Sequence, residues 1–319
     1  MWREEGVLVR VPASTANLGP GFDTLGMALQ LHLWVAMKPA DQAIIRLHGS
    51  DLEGVPTDES NLIYRIAQSV FDEAGIDRRP IEMEVYSEIP LTRGLGSSAS
   101  AIIGGLVAAN QLIGEPLDAG RLYDMATAIE RHPDNVGASL IGGIVAAAWD
   151  GEHTTYARVE PDRYLSTVVA IPQFQLETKQ ARGVLPSQVD MAKAVFNISR
   201  SSLLVAALSS GRYDILSEAM KDCLHQPYRA PMIPGMTHIL EHAVQHGALG
   251  VALSGAGPTL LAFIDKRSDS QELISFMRDT FSEHRIDVVV KELEPSHEGA
   301  VCIGTWSDME SILSARMLE

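Results

Sequence analysis

Cysteine is nearly absent from this chain of 319 residues: there are two, Cys223 and Cys302, and neither sits in a Cys-x-x-Cys pair. That argues against a disulfide framework and against a structural zinc site, and it fits a reducing compartment. Basic residues are also short, 25 against 41 acidic, for a formal net charge of −16. Nucleic acid and anionic membranes both demand basic surface, so no nucleic-acid or membrane partner is expected. Gly and polar residues interrupt every apolar-rich stretch, and no run reads as a bilayer span. The start, Met1-Trp2-Arg3-Glu4-Glu5, has no apolar signal core, so a cytoplasmic protein is expected. No Gly-Lys-Ser or Gly-Lys-Thr ends a glycine-rich loop, which rules out a Walker A phosphate loop.

What is present is a different glycine-rich loop, Pro90-Leu91-Thr92-Arg93-Gly94-Leu95-Gly96-Ser97-Ser98-Ala99-Ser100. A strand-like run, 81–89, leads into it, and an apolar helical pattern (Ile102, Ile103, Leu106, Val107) leads out. A helix N-terminus carries unpaired N–H groups and a partial positive charge, so small residues placed there can cradle a phosphate. The same residues match Gly-x-Gly-x-x-Ala at Gly94, Gly96 and Ala99, a dinucleotide fingerprint. That fingerprint needs a second strand ending in an acid about 20 residues on. Here Glu115 lies in a Gly-Glu-Pro turn, and Asp118 reads as the N-cap of a second helix carrying Leu122, Met125, Ala126 and Ile129. Helix after helix is not a βαβ unit, so a nicotinamide oxidoreductase is set aside.

Elsewhere, strands are expected at 7–12, 27–37, 142–149, 166–171, 250–254, 259–264 and 286–292. Helices are expected at 60–74, 190–209, 211–222, 234–246 and 270–282, with a short amphipathic helix over 307–319. Mixed strands and helices with antiparallel turns point to an α+β protein rather than one doubly wound sheet. The length suits two domains. The polar stretch Asp150-Gly151-Glu152-His153 is the expected boundary, dividing 1–155 from 156–319.

Six segments stand out in order: 11–26 (VPASTANLGPGFDTLG), 90–100, 130–143 (ERHPDNVGASLIGG), 176–186 (LETKQARGVLP), 225–236 (HQPYRAPMIPGM) and 253–259 (LSGAGPT). Together they resemble the homoserine-kinase branch of the GHMP small-molecule kinase family, over nearly the whole chain. The resemblance implies a two-domain GHMP kinase fold, with a ribosomal-protein-S5-like, ATP-binding N-terminal domain and a ferredoxin-like C-terminal domain. It implies ATP and Mg²⁺ as cofactors, a homodimer, and phosphorylation of the side-chain hydroxyl of L-homoserine, a step toward threonine.

By that resemblance, Arg182 and Arg229 bind the substrate carboxylate, Asp23 its ammonium group, and Asn17 and Asn135 the rest of the amino acid and its hydroxyl. Glu130 and Ser98 stand on the metal side, and the backbone of 94–100 wraps the phosphates. Thr178 and His132 are further polar groups at the transfer site, where Asn135 and Arg182 orient the hydroxyl. A zwitterion needs such a set: a guanidinium fork, a carboxylate and groups near the hydroxyl. Two alternatives remain, a family member acting on mevalonate, shikimate or a sugar, and a catalytically silent sensor. Four positions depart from the family pattern: Arg131 stands where a Gly is usual, Glu177 replaces a small residue, and Gly137-Ala138 replaces Ala-Pro.

Overall fold

A computed structural model describes residues 1–316, which form two β-sheets and the helices packed on them. The three last positions of the tail helix expected over 307–319 lie outside the described residues. The first sheet has seven strands: β1 (Val7–Ala16), β2 (Leu25–Pro39), β3 (Ile44–His48), β4 (Ile81–Ser87), β5 (Ile144–Trp149), β6 (Thr154–Val159) and a strand from near the C-terminus, Val301–Gly304. The C-terminal strand, β1, β2, β4 and β3 lie side by side in that order, and β5 joins β2 to β6. The second sheet, wholly antiparallel, is built from β7 (Leu165–Pro172), β8 (Gly250–Leu253), β9 (Leu260–Asp265) and β10 (Val288–Leu293). Its order is β10-β7-β9-β8, and Val301–Gly304 is β11.

Side chains on a strand alternate between faces, and the alternation sorts the first sheet's residues into two layers. Val7, Val9 and Val11 of β1, Leu33, Val35 and Met37 of β2, and Ile81, Met83 and Val85 of β4 enter the main core. There they meet α1 (Leu62–Glu73), α2 (Ser97–Leu112), α3 (Ala119–Glu130) and α4 (Asp134–Ile141). The alternate residues Leu8, Trp34 and Ala36 form a small second core on the opposite face with Met309.

The second sheet is covered on both faces. Val168, Ala170, Leu260 and Ala262 pack under Met236, Ile239, Leu273, Met277 and Phe281. Val169, Ile171, Leu261 and Phe263 join the main core beside Leu204, Leu208 and Leu216. The helices of this half are α5 (Thr178–Gly183), α6 (Met191–Ser210), α7 (Leu216–Ala219), α8 (Gln226–Arg229), α9 (Met236–His242) and α10 (Gln271–Glu283). Helix α11 (Met309–Arg316) ends the described chain on the first sheet.

Several expectations change. The division at 155/156 runs through β6, and the C-terminal segment returns to the first sheet as β11 against β1. The two sheets therefore do not split the chain at one point. The helix expected over 211–222 shrinks to a 3₁₀ turn, Tyr213–Ile215, and the one-turn α7, because Gly211 ends α6 in the left-handed region (φ 71°). The first strand runs on to Ala16, four residues beyond the expected end. Helix α6 is, by length and composition, apolar enough to cross a membrane, which the sequence reading did not anticipate. Its polar residues are engaged within the chain: Asn197 Nδ2 donates to Pro20 O (2.8 Å) and Arg200 pairs with Glu218 (2.7 Å).

Candidate active site

The glycine-rich loop takes the place expected of it, at the N-terminus of α2. Gly96 is the residue before that helix and lies at φ 72°; a Cβ there would come within 2.2 Å of Ser14 Oγ. Gly94, at φ 80°, lies so close to the 254–257 turn that a Cβ would meet Ser254 O at 2.4 Å. Only glycine fits both positions. Three small-residue segments thus interlock. Ser14 N donates to Leu95 O (3.1 Å), Ser254 Oγ to Gly94 O (2.5 Å) and Thr259 N to Arg93 O (3.3 Å). The first intrahelical bond runs from Ser100 N to Gly96 O (2.8 Å), so the N–H groups of 97–99 are free of the helix ladder.

The loop's contribution is chiefly backbone. Leu95 is in the core, Ser100 Oγ donates to Pro12 O and Gly96 O (both 3.0 Å), and Arg93 Nη1 donates away from the cleft to Pro172 O (3.2 Å). Thr92, Gly94, Gly96, Ser97, Ser98 and Ala99 face a cleft between the two halves. Pro90 is half-buried at the entry to the loop.

Ser98 and Glu130 come together across this cleft, with Ser98 Oγ donating to Glu130 Oε2 at 3.3 Å. Burial pushes the Glu130 carboxyl up, against the opposing pull of His132, Ser98 and Arg182. A carboxylate held in this way gains from a cation, and two oxygens beside a phosphate cradle suit Mg²⁺, which takes few protein ligands. Arg131, next in the chain, caps α3 in the left-handed region (φ 71°), its side chain exposed. Glycine adopts that conformation without strain, and an arginine does not.

His132 Nδ1 lies 2.5 Å from Asp134 Oδ1, and its Nε2 lies 3.9 Å from Glu130 Oε1. Burial works against the charged imidazole, but the hydrogen bond and charge of Asp134, with Asp23 and Glu130 nearby, outweigh it and raise its pKa. Asp134 is buried, also accepts from Asn135 N (2.8 Å), and lines the cleft. Sequence reasoning passed over it as a loop residue. Asn135 Nδ2 donates to Ser14 O (3.3 Å) and Ser14 Oγ (3.0 Å), which fixes the amide with Oδ1 on the side of Gly255.

Asp23 and Arg182, expected to grip opposite ends of one ligand, grip each other. Arg182 Nη1 and Nη2 donate to Asp23 Oδ2 (2.9 Å) and Oδ1 (2.7 Å). Asn17 is spent on the scaffold: its Nδ2 donates to Gly255 O (2.9 Å) and its Oδ1 accepts from Asp23 N (3.0 Å). Thr178 lies on the cleft wall at the start of α5. Arg229 is 2% exposed and has no hydrogen bond to a carboxylate among the described residues. It donates to Ala181 O (3.1 Å), Gly255 O (3.0 Å) and His225 Nδ1 (3.2 Å). Burial, with Arg182 as a like-charged neighbour, lowers its pKa to about 10, so it stays cationic at neutral pH.

A second cavity, of about 820 Å³ and mostly apolar, adjoins the cleft. Leu47 of β3, Leu52, Val55, Leu62 and Ile89 line it, and Thr92, Ser97 and Ser98 border both spaces. Sequence reasoning missed it, because its walls are ordinary apolar residues from five separate segments.

The described chain is similar to known proteins along most of its length. The family models for GHMP kinases, N-terminal domain and C-terminal domain, match residues 61–143 and 204–283. A homoserine kinase of Moorella thermoacetica is 46% identical over 93% of the chain and 99% of its own length. One of Deinococcus radiodurans is 44% identical over 92% and 95%. The crystal structure of a homoserine kinase from Cytophaga hutchinsonii superposes with a TM-score of 0.85 at 28% identity, covering 95% of the chain and 99% of that protein. A mevalonate kinase at 15% identity has a TM-score of 0.67, a likeness of fold alone.

Proposed function

The chain belongs to the homoserine kinases of the GHMP kinase family, with their two-domain fold, and on that premise we propose that it moves the γ-phosphoryl group of ATP to the side-chain hydroxyl of L-homoserine. The products are ADP and O-phospho-L-homoserine, an intermediate on the way to threonine. One observation carries the substrate assignment: a buried guanidinium, Arg229, with no carboxylate of its own, beside Arg182 and opposite Asp23. A buried cation with no carboxylate hydrogen-bonded to it is costly, even with Asp23 and Asp222 nearby. The α-carboxylate of an amino acid supplies the anion, and Asp23 meets the ammonium group.

Each ligand has a supporting surface. The apolar cavity bounded by β3 and α1 suits the adenine base, and the border residues Thr92, Ser97 and Ser98 connect it to the phosphate cradle. The N–H groups of 97–99 take the phosphate oxygens. Glu130 and Ser98 would hold Mg²⁺, which neutralises phosphate charge when bound. Binding homoserine is an exchange: its carboxylate replaces Asp23 as a partner of Arg182, and its ammonium replaces Arg182 as a partner of Asp23.

Phosphoryl transfer asks mostly for positioning and charge balance. Asn135, locked by Ser14, offers Oδ1 to the hydroxyl proton and so aims the oxygen at the γ-phosphorus. Arg182 and Thr178 stand along the line of transfer and offset the charge that develops. Asp23 is engaged with a cation in both states and is assigned to binding the ammonium group. No dedicated side-chain base is assigned, and the hydroxyl proton leaves to the transferred phosphoryl group. A homodimer in the cytoplasm completes the reading and rests on the family resemblance.

The test is ADP release from Mg-ATP, coupled to NADH oxidation, with homoserine, mevalonate and shikimate offered separately. Homoserine alone should support turnover. ATP binding without turnover on any of them would favour the sensor.

A further inference from the structure

Phe22 is not itself a lining residue of the cleft, yet its ring lies against two cations that are, Arg182 and Arg229. Its ring centroid is 5.6 Å from the Arg182 guanidinium carbon and 5.5 Å from that of Arg229. The ring also stacks on His225, with centroids 5.1 Å apart and planes at 25°. His225 is itself fixed. Its Nε2 lies 2.8 Å from Gly19 O and donates to it, so Nδ1 carries no proton and accepts from Arg229 Nη1.

We propose that Phe22 is a positioning residue for carboxylate recognition: its ring holds Arg182 and Arg229 together as one anion-binding fork, with His225 fixing the ring and Arg229 relative to each other. The proposal rests on the reading of these arginines as the ligands of the substrate carboxylate. Two guanidinium groups this close repel. Asp23 pairs with Arg182 and relieves part of that repulsion, but it occupies N–H groups the substrate needs and must give them up when the substrate binds. An aromatic ring attracts a cation through the electron-rich π face. A guanidinium keeps its N–H donors in its own plane, so contact between faces leaves those donors for a ligand. Phe22 therefore stabilises both cations without filling the fork.

The backbone supports the same division of labour. Phe22 and Asp23 are neighbours on one tight loop, closed by Asn17 N to Leu25 O (2.7 Å) and Gly21 N to Asn17 O (2.9 Å). Asp23 lines the cleft and hydrogen-bonds Arg182, while the Phe22 ring lies against both guanidinium groups. Arg229 Nε donates to Ala181 O, the carbonyl just before Arg182, so the two arginines are also coupled through the backbone of α5.

The experiment compares kcat/KM for homoserine with that for 3-aminopropan-1-ol, the same molecule without its carboxylate, in Phe22, Phe22→Leu and Phe22→Tyr proteins. A fourth protein carries pentafluorophenylalanine at position 22, which keeps the ring's shape and reverses its quadrupole. In Phe22→Leu and in the fluorinated protein, activity on homoserine should fall roughly 10-fold. Activity on the amino alcohol should fall less than about 3-fold, so the preference for the carboxylate contracts. Phe22→Tyr should keep the wild-type preference, and KM for ATP should hold in every variant. Equal losses on both substrates, or a fluorinated protein that behaves as wild type, would reduce Phe22 to packing and overturn the proposal. Wild-type protein that does not prefer homoserine to the amino alcohol would fail the underlying substrate reading instead, and with it the role given to Phe22.

Discussion

Arg229→Met should separate substrate binding from stability, and the structure sets the size of each effect. The guanidinium is enclosed, with three internal acceptors and no carboxylate. If it meets the substrate carboxylate, its removal forfeits charge-assisted hydrogen bonds worth about 3 kcal/mol together. KM for homoserine should then rise on the order of 100-fold, with KM for ATP unchanged. Stability follows a different balance. A base whose folded-state pKa is depressed penalises the fold while it stays protonated, here everywhere below about pH 10. That depression corresponds to a cost on the order of 3 kcal/mol at neutral pH, and methionine removes it. Against that, Ala181 O and His225 Nδ1 lose their donor, at about 1–3 kcal/mol for each group left dry. Gly255 O still accepts from Asn17 Nδ2. The terms nearly cancel, so urea unfolding at pH 7 should change by less than about 2 kcal/mol in either direction. The assay pairs coupled kinetics with the urea midpoint. A variant with unchanged KM for homoserine, or one that unfolds outright, would refute the reasoning.

Three further outcomes are expected. Arg131→Gly relieves a side chain in the left-handed region and should stabilise the protein by about 1 kcal/mol, read as a rise in Tm with kcat unchanged. EDTA should abolish turnover, and Glu130→Gln should raise the Mg²⁺ concentration giving half the maximal rate by roughly 10-fold or more; an unshifted Mg²⁺ titration would remove Glu130 from the metal side. Burial raises the Glu88 carboxyl pKa, but hydrogen bonds from His32 and the charge of Arg316 outweigh it and the net shift is down. Its contribution is therefore present above about pH 4.5 and lost as pH falls through the folded value, so Glu88→Gln should cost about 1 kcal/mol at pH 7 and less at pH 3.5.

What the sequence disclosed follows what each element needs locally. Helices α1, α2, α3, α6 and α10 were legible because their periodicity is written in place, and α1, α3 and α6 also carry side-chain caps. Asn61 accepts from Ile63 N (2.9 Å), Asp118 from Arg121 N (2.8 Å) and Asp190 from Lys193 N (2.8 Å). Strands β3, β6 and β11 were not, because each is short and gains its identity only by pairing. β6 is mostly exposed, and Val301–Gly304 is four residues long, held by β1 from the far end of the chain. The return of the C-terminus to the first sheet is a long-range pairing that no local pattern announces.

The site divides along the same line. The phosphate loop is contiguous, so its chemistry shows in the sequence, and the family resemblance supplied the remaining ligands. The apolar cavity and Asp134 stayed hidden, one because its walls are scattered and the other because an Asp after a Pro reads as a structural residue bonding its own loop. Backbone strain adds a signal that only coordinates carry. Asn17, Leu18, Asp23, Thr92 and Arg131 all adopt positive φ, and all lie in the two loops and the helix end around the cleft. Such conformations cost free energy and persist only where surrounding contacts enforce them. Here the enforcing contacts are Asn17 to Gly255, Asp23 to Arg182, and the packing of the glycine turn on Gly94. Each joins the first sheet's loops to the second half of the chain. The two halves thus do more than enclose a ligand: each holds the other's site residues in conformations that neither would adopt alone. The Asp23–Arg182 pair is the clearest case, since a zwitterion that enters must replace both partners at once. A ligand with only a carboxylate or only an ammonium group would strand one of them, which is a physical basis for selecting an amino acid.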